Sequence, residues 1–335
     1  MTGFVMAGSE PSVLLHHLAF YGLADILDDA GAHEVRLTWE GSRPTVHAEG
    51  LTARVVDDAV RAHVDARRSW VDVASGKDRR GVMSPRLSAF KDDASWTALQ
   101  RARHGVFDAL IDARAWPDLR YLAALGEPSY WSFNQRDEPL QDDGASRWEM
   151  QPRNRGSEFV GNRLRPVAEA VSARGPGGIA AGIDGSKPVD EIGGRSDSVS
   201  ATGLSTPGPV DNALVWCALW GLGWLPTALR VAEAALSSGH FGRPHQEYFF
   251  TPYWTGALRP ARVRSLLASE HLRVAATDGV ERYAADPLVR QTAHTWLRAR
   301  RVVGVLRFPI GRFGSDNAPE RRALRAEAVQ IGDSP

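Results

Sequence analysis

Residues 213–229 read ALVWCALWGLGWLPTAL, a run of 17 positions without a charge. An apolar stretch of this kind is either a membrane span or a helix buried on every side. It is at the short end for crossing about 30 Å of hydrocarbon, and Gly221, Gly223 and Pro226 interrupt it. An ordinary amphipathic segment, RVAEAAL, follows directly. The stretch therefore predicts a buried core helix within 212–237 and no membrane association. Trp216, Trp220 and Trp224 recur every four residues, which puts the three indoles on one helix face as core packing. Cys217 is the single cysteine. Inside an apolar helix it reads as an inert thiol, and without a disulfide partner it favours a reducing, cytoplasmic home.

Downstream of this helix, HFGRPHQEYFFTPYWTG (240–256) reads as a loop beside prolines. Helices follow at Pro260–Ser269 and Pro287–Arg301, then a short strand, Val302–Phe308. The region 212–335 is thus expected to be a mainly helical C-terminal domain. Upstream, 175–211 is rich in Gly, Ser, Pro and Asp with few large apolar residues. Such a segment buries too little surface to fold by itself, so it reads as flexible and as the domain boundary. The region 1–174 reads as an α+β domain. It opens with a helix over 11–31, capped by Ser12 and ended by Gly31, and a pair of strands follows within 33–38 and 45–56. Further helices are expected over 55–69, 95–115 and 119–125, with a strand-like SYWSFN at 129–134. The predicted class is α+β, a mixed N-terminal region joined to a mainly helical C-terminal region.

Charge excludes little by itself, because 40 basic residues balance 40 acidic ones. Only Lys77, Lys91 and Lys187 among the basic residues are lysine. Arginine supplies a planar, permanently charged fork that suits phosphate and guanine edges; genomic base composition is the plainer source of the bias. The densest cluster is 146–174, SRWEMQPRNRGSEFVGNRLRPVAEAVSAR, which mixes arginine with asparagine and a stackable indole. Arg147, Arg153, Asn154, Arg155 and Arg163 are its candidate nucleic-acid contacts. A second basic stretch after Asp286 carries no acidic residue as far as Ser315. In it, Arg298 and Arg301 lie three apart on a helix and can share a face. The loop 76–88, GKDRRGVMSPRLS, offers Arg79 and Arg80. The competing reading of all three clusters is a solvated surface of arginine–carboxylate pairs.

No catalytic signature emerges. There is no G-x-S-x-G elbow, and GIDGSKP (182–188) misses the spacing of a phosphate loop. His16, His17, Asp25, Asp28 and Asp29 are residue types found in metal phosphohydrolases, yet adjacent helical positions diverge by about 100° and cannot easily share one ion. His240, His245 and Glu247 lack the remaining ligands of a structural zinc site. The expectation is a non-enzyme with no cofactor and no metal. A metal-dependent phosphohydrolase or nuclease using His16, His17 and Asp25, and a scaffold that touches only proteins, remain the alternatives.

Three passages, VLLHHLAFYGLADILDDAG, GASRWEMQPRNRGSEFVGNRL and PGPVDNALVWCALWGLGWLP, resemble the CRISPR-associated effector proteins of type I-G systems, formerly type I-U. The resemblance is to the smaller Csb type that stands in for a Cascade large subunit. It implies a non-catalytic subunit of an antiviral surveillance complex that contacts double-stranded target DNA beside the protospacer. Its implied partners are guide RNA, other Cascade subunits and a helicase-nuclease.

Overall fold

The computed structural model describes residues 2–71, 74–75, 80–86, 92–129, 132–137, 140, 143–148, 160–193, 203–205, 209–231, 233–243, 245–315 and 318–331. In chain order the elements are β1 (Thr2–Val5), α1 (Leu14–Asp29), β2 (Arg36–Glu40), β3 (Arg43–Ala48), α2 (Ala53–Val71), β4 (Ala74–Ser75), β5 (Arg80–Gly81), α3 (Asp93–Asp112) and α4 (Trp116–Leu125). A π-helical turn at Val160–Leu164 leads into α5 (Arg165–Ser172), α6 (Gly178–Ile183) and α7 (Asn212–Gly221). Then come β6 (Thr227–Ala228), β7 (Leu236–Ser237), β8 (His240–Arg243), β9 (Gln246–Trp254), α8 (Pro260–Leu267), α9 (Glu270–Ala276), α10 (Pro287–Arg298), β10 (Val302–Ser315), β11 (Ala318–Ala323) and β12 (Glu327–Gln330).

Two buried helices form the centre. Helix α1 buries every residue from Leu14 to Leu27 except His16, and all ten residues of α7 are buried. One face of α1 lies against α7, where Tyr21 stacks on Trp224 at 5.1 Å. Its other face meets the sheets. His17 approaches Phe308 and Trp39, and Phe20 stacks on Trp254 at 6.0 Å. The tryptophan stripe of α7 is core: Trp220 stacks on Tyr121, and Trp216 donates its indole N–H to His63 at 3.1 Å. Burial pushes the Cys217 thiol pKa up, so it is inert. Among the described residues no helix is long and apolar enough to cross a membrane.

The C-terminal half corrects the expectation of a mainly helical region. Among the described residues, seven of the twelve strands, β6 to β12, follow Pro226, and five of them form the largest sheet, ordered β11-β10-β9-β8 with β12 also on β10. The predicted loop 240–256 is the hairpin β8–β9, with Arg243 opposite Gln246. Pro252 is tolerated in β9 because β8 pairs only as far as Phe249, so its missing N–H lies beyond that partner. The helix expected to reach Ser237 stops near Trp224, where Gly223 and Pro226 end it. The N-terminal region also holds strands that were not expected: β1 joins β3 and β2 in a three-stranded antiparallel sheet, and β4 pairs with β5. Ser12 does not cap α1. Val13 is the cap residue and makes no side-chain bond, while the Ser12 hydroxyl accepts from Arg325.

Within 175–211, α6 has an assigned place. Its first amides, Ile179 and Ala180, donate to the Asp57 carboxylate of α2 at 2.9 and 3.1 Å, a cap supplied from another element.

Candidate nucleic-acid interface

The sequence-predicted contacts fall into unlike environments. Arg79, Arg153, Asn154 and Arg155 lie outside the described residues. Arg80 contributes a backbone position in β5, opposite Ser75. Arg163 sits in the π-helical turn before α5 at 8% exposure, too buried to meet a phosphate backbone directly. Arg298 is half-buried in the last turn of α10, within reach of the Thr295 hydroxyl. Arg301 is exposed just beyond it, at φ 65°, and its carbonyl accepts the Thr255 amide. Arg147 is half-buried and held at its backbone: its N–H donates to Ser237 Oγ at 2.7 Å, and its carbonyl faces Arg321.

Many of the described arginines are ion-paired within the fold. Arg67 is shared by Asp29 and Asp118, Arg103 pairs with Glu127, and Arg120 and Arg264 converge on Asp25. The basic stretch after Asp286 is divided in the same way: Arg290 pairs with Asp278, Arg307 pairs with Glu327, and Arg300 lies over the Trp296 ring at 3.6 Å. Convergence of the arginines on one positive groove, the premise of the sequence reading, is therefore not the arrangement of these residues. Partly exposed pairs such as Arg290 with Asp278 contribute about 0–1 kcal/mol each, whereas Arg67 and Arg103 are buried, and removing either would strand its carboxylate partner.

Two arginines without a carboxylate partner among the described residues, Arg243 and Arg312, stand at one end of the large sheet. Strand β9 pairs with β10 only as far as Pro309, whereas β11 pairs with Ile310–Ser315. The last part of β10 and β11 thus form a two-stranded ribbon that runs past β9. On it Arg312 stands directly opposite Arg321. Like charges in that register repel. Arg321 is drawn aside toward Glu247, 3.6 Å away. Arg312 reaches only His245, at 3.4 Å, and among the described residues it has no carboxylate within ion-pair distance. Arg243, exposed at the end of β8, also has none. Phe313 is 42% exposed, and Arg322 lies 4.8 Å from its ring centre. That ring also covers Gly311, where a Cβ would come within 2.6 Å of it. Glu320 shares the ribbon at the position opposite Phe313.

Beside the ribbon, a cleft of about 900 Å³ opens between β6–β7, β8 and the start of α9. His240 and Glu247 line it 3.6 Å apart, longer than a hydrogen bond. Burial opposes the charge on Glu247, but His240, Arg321 and Arg147 together outweigh it and hold the carboxyl at about 2. Burial lowers the pKa of His240 against the pull of that carboxylate.

The residues of the metal alternative point apart. The His16 ring engages the Glu10 backbone, the His17 ring bonds the Pro11 carbonyl and faces the Thr251 hydroxyl, and Asp25 is taken by arginines. Among the described residues no three His, Cys, Asp or Glu side chains are grouped to hold a metal ion.

Arg243, Arg321 and Arg322 were missed from sequence, although GSDNAP (314–319) between FPIGRF and ERRA is a readable hairpin turn. No protein-family model and no curated protein matches the chain.

Proposed function

We propose that this chain is a non-catalytic, nucleic-acid-binding subunit that contacts its target through the β10–β11 ribbon and the adjoining end of β8. A two-stranded ribbon fits a groove, arginines meet phosphates, and an exposed ring beside them can stack on a base. The observation that carries this reading is the opposed pair Arg312 and Arg321, beside Arg243, with neither Arg312 nor Arg243 within ion-pair distance of a carboxylate among the described residues. An anion between such positions relieves a repulsion that the folded chain leaves partly standing.

The sequence resemblance supplies the setting: a type I-G surveillance complex, in which the ligand is target duplex beside the protospacer and the partners are guide RNA, other Cascade subunits and a helicase-nuclease. Arg153, Asn154 and Arg155 stay in the proposal as further contacts, on sequence grounds alone.

The test is retention of labelled duplex DNA by the purified chain across a salt series. Removing one arginine from a phosphate lowers the salt slope by about one. Arg243→Ala with Arg312→Ala should lower it by about two, and Phe313→Ala should weaken binding at constant slope. Retention and slope unchanged in the double variant would remove the ribbon as the interface.

A further inference from the structure

The cleft beside the ribbon carries a charge excess that can be located. Arg230 is paired with Glu233, and Arg273 with Glu270, at its edge. Glu247 is matched by Arg321. Arg147 and Arg243 then remain, both lining the cleft and neither within ion-pair distance of a carboxylate among the described residues. Two positive charges complement a phosphomonoester, which carries about −1.5 to −2 at neutral pH.

A second observation is independent of the arginines. Tyr283 Oη is buried without a hydrogen-bond partner, whereas His240 Nε2 lies 3.6 Å from the Glu247 carboxylate, and both residues line this cleft. Buried polar atoms are rarely left unpaired, because each orphan loses its bonds to water without replacement. Apolar wall is supplied by Pro226, Ala228 and Leu236, all exposed. The volume of about 900 Å³ lies within the range that encloses small ligands.

From the two arginines without an ion pair and the orphan Tyr283 hydroxyl, we infer that this cleft binds a single phosphorylated nucleoside unit. Arg147 and Arg243 hold the phosphate, Tyr283 bonds a polar atom of the sugar or base, and the apolar wall receives the base. The unit comes either from a free nucleotide or from the 5′-phosphorylated end of a strand. The site is separate from the ribbon: only Arg243 is common to both.

Calorimetric titration of the full chain tests it, with adenosine 5′-monophosphate, adenosine, inorganic phosphate and a 5′-phosphorylated deoxyoligonucleotide as probes. The monophosphate should bind at least about tenfold more tightly than adenosine or inorganic phosphate, since each holds half of the recognition. Arg147→Ala should weaken it about tenfold, and Tyr283→Phe by about two- to tenfold. Tyr283→Phe removes an oxygen that bonds nothing in the fold, so its thermal midpoint should match the parent chain. Tighter binding of the oligonucleotide, abolished in the same variants, assigns the unit to a strand end; tighter binding of the monophosphate assigns it to a free nucleotide. Absence of binding by both, or binding indifferent to Arg147→Ala and Tyr283→Phe, overturns the inference. Duplex retention through Arg243 and Arg312 is read separately, so either proposal can fail alone.

Discussion

Gly22 of α1 and Gly221 of α7 meet backbone to backbone. A Cβ on Gly22 would lie 1.8 Å from the Cys217 carbonyl oxygen and 2.7 Å from the Gly221 nitrogen, and one on Gly221 would lie 2.0 Å from the Leu18 carbonyl oxygen. The two central helices cross at a distance that only glycine permits, and this brings Tyr21 onto Trp224.

Gly22→Ala must therefore push α1 and α7 apart, a backbone shift that cannot be relieved by a rotamer change. Overpacking of this kind costs about 1–3 kcal/mol and occasionally more, and here the obstacle is backbone on both sides. The upper end or beyond is expected in urea unfolding. Gly105, inside α3 with nothing near its missing Cβ, is the control. Gly105→Ala should raise stability by about 0.5–1 kcal/mol. Equal small effects at both positions would show that α1 and α7 do not approach each other this closely.

A second expectation concerns acid. Burial pushes His17 down to about 3 and His63 well below its ordinary value, and Arg67 adds to the shift at His63. Both imidazoles stay neutral in the fold while the unfolded chain takes up protons below about 6.5. The unfolded state then binds more protons, so stability must fall as pH drops from about 6.5 toward the folded values. The loss approaches about 1.4 kcal/mol per pH unit for each such histidine. Urea midpoints between pH 7 and 5, above most carboxylate titration, read it. His63→Gln keeps an acceptor for the Trp216 indole and should flatten the slope by one histidine's share. An unchanged slope would mean that His63 already titrates in the fold.

The two central helices were legible because Leu14–Leu27 and 212–221 are apolar on nearly every face, which leaves a helix few places to go. The hairpin β8–β9 was not. Pro244, Pro252 and Gly242 punctuate it, and Phe249 to Pro252 are all buried, so the alternation that marks a half-exposed strand is missing. Helix α6 was hidden for another reason: its six residues are stabilised by Asp57, 122 positions away from Ile179. At the candidate interface, composition found arginine but not its partners. Whether Arg67 or Arg312 is free depends on which carboxylate the fold delivers, and Asp118 and Asp29 reach Arg67 only through tertiary contact. The resemblance of the three passages bears on setting and says nothing of that pairing.

The Arg174 and Asp211 pair gives the last expectation. Arg174 is 6% exposed and Asp211 2% exposed. The guanidinium bonds Asp211, Glu191 and the carbonyls of Gly178 and Val189, which ties both ends of the stretch from α6 to α7 together. Asp211 also accepts the amides of Ala213 and Leu214 as the cap of α7. Burial acts to lower the Arg174 pKa, but Glu191 and Asp211 overcome it and raise it. Arg174→Met leaves two carboxylates without their cation, and removing one member of a buried pair costs about 3–5 kcal/mol. Asp211→Asn keeps an acceptor for the α7 amides and Glu191 for the arginine, so it should cost less, about 1–3 kcal/mol. With the cation gone, the carboxylate at 211 is itself a burden. Arg174→Met with Asp211→Asn should then be more stable than the sum of the single losses by about 0.5–3 kcal/mol in urea unfolding. Strict additivity would show that the two side chains do not interact in the folded chain.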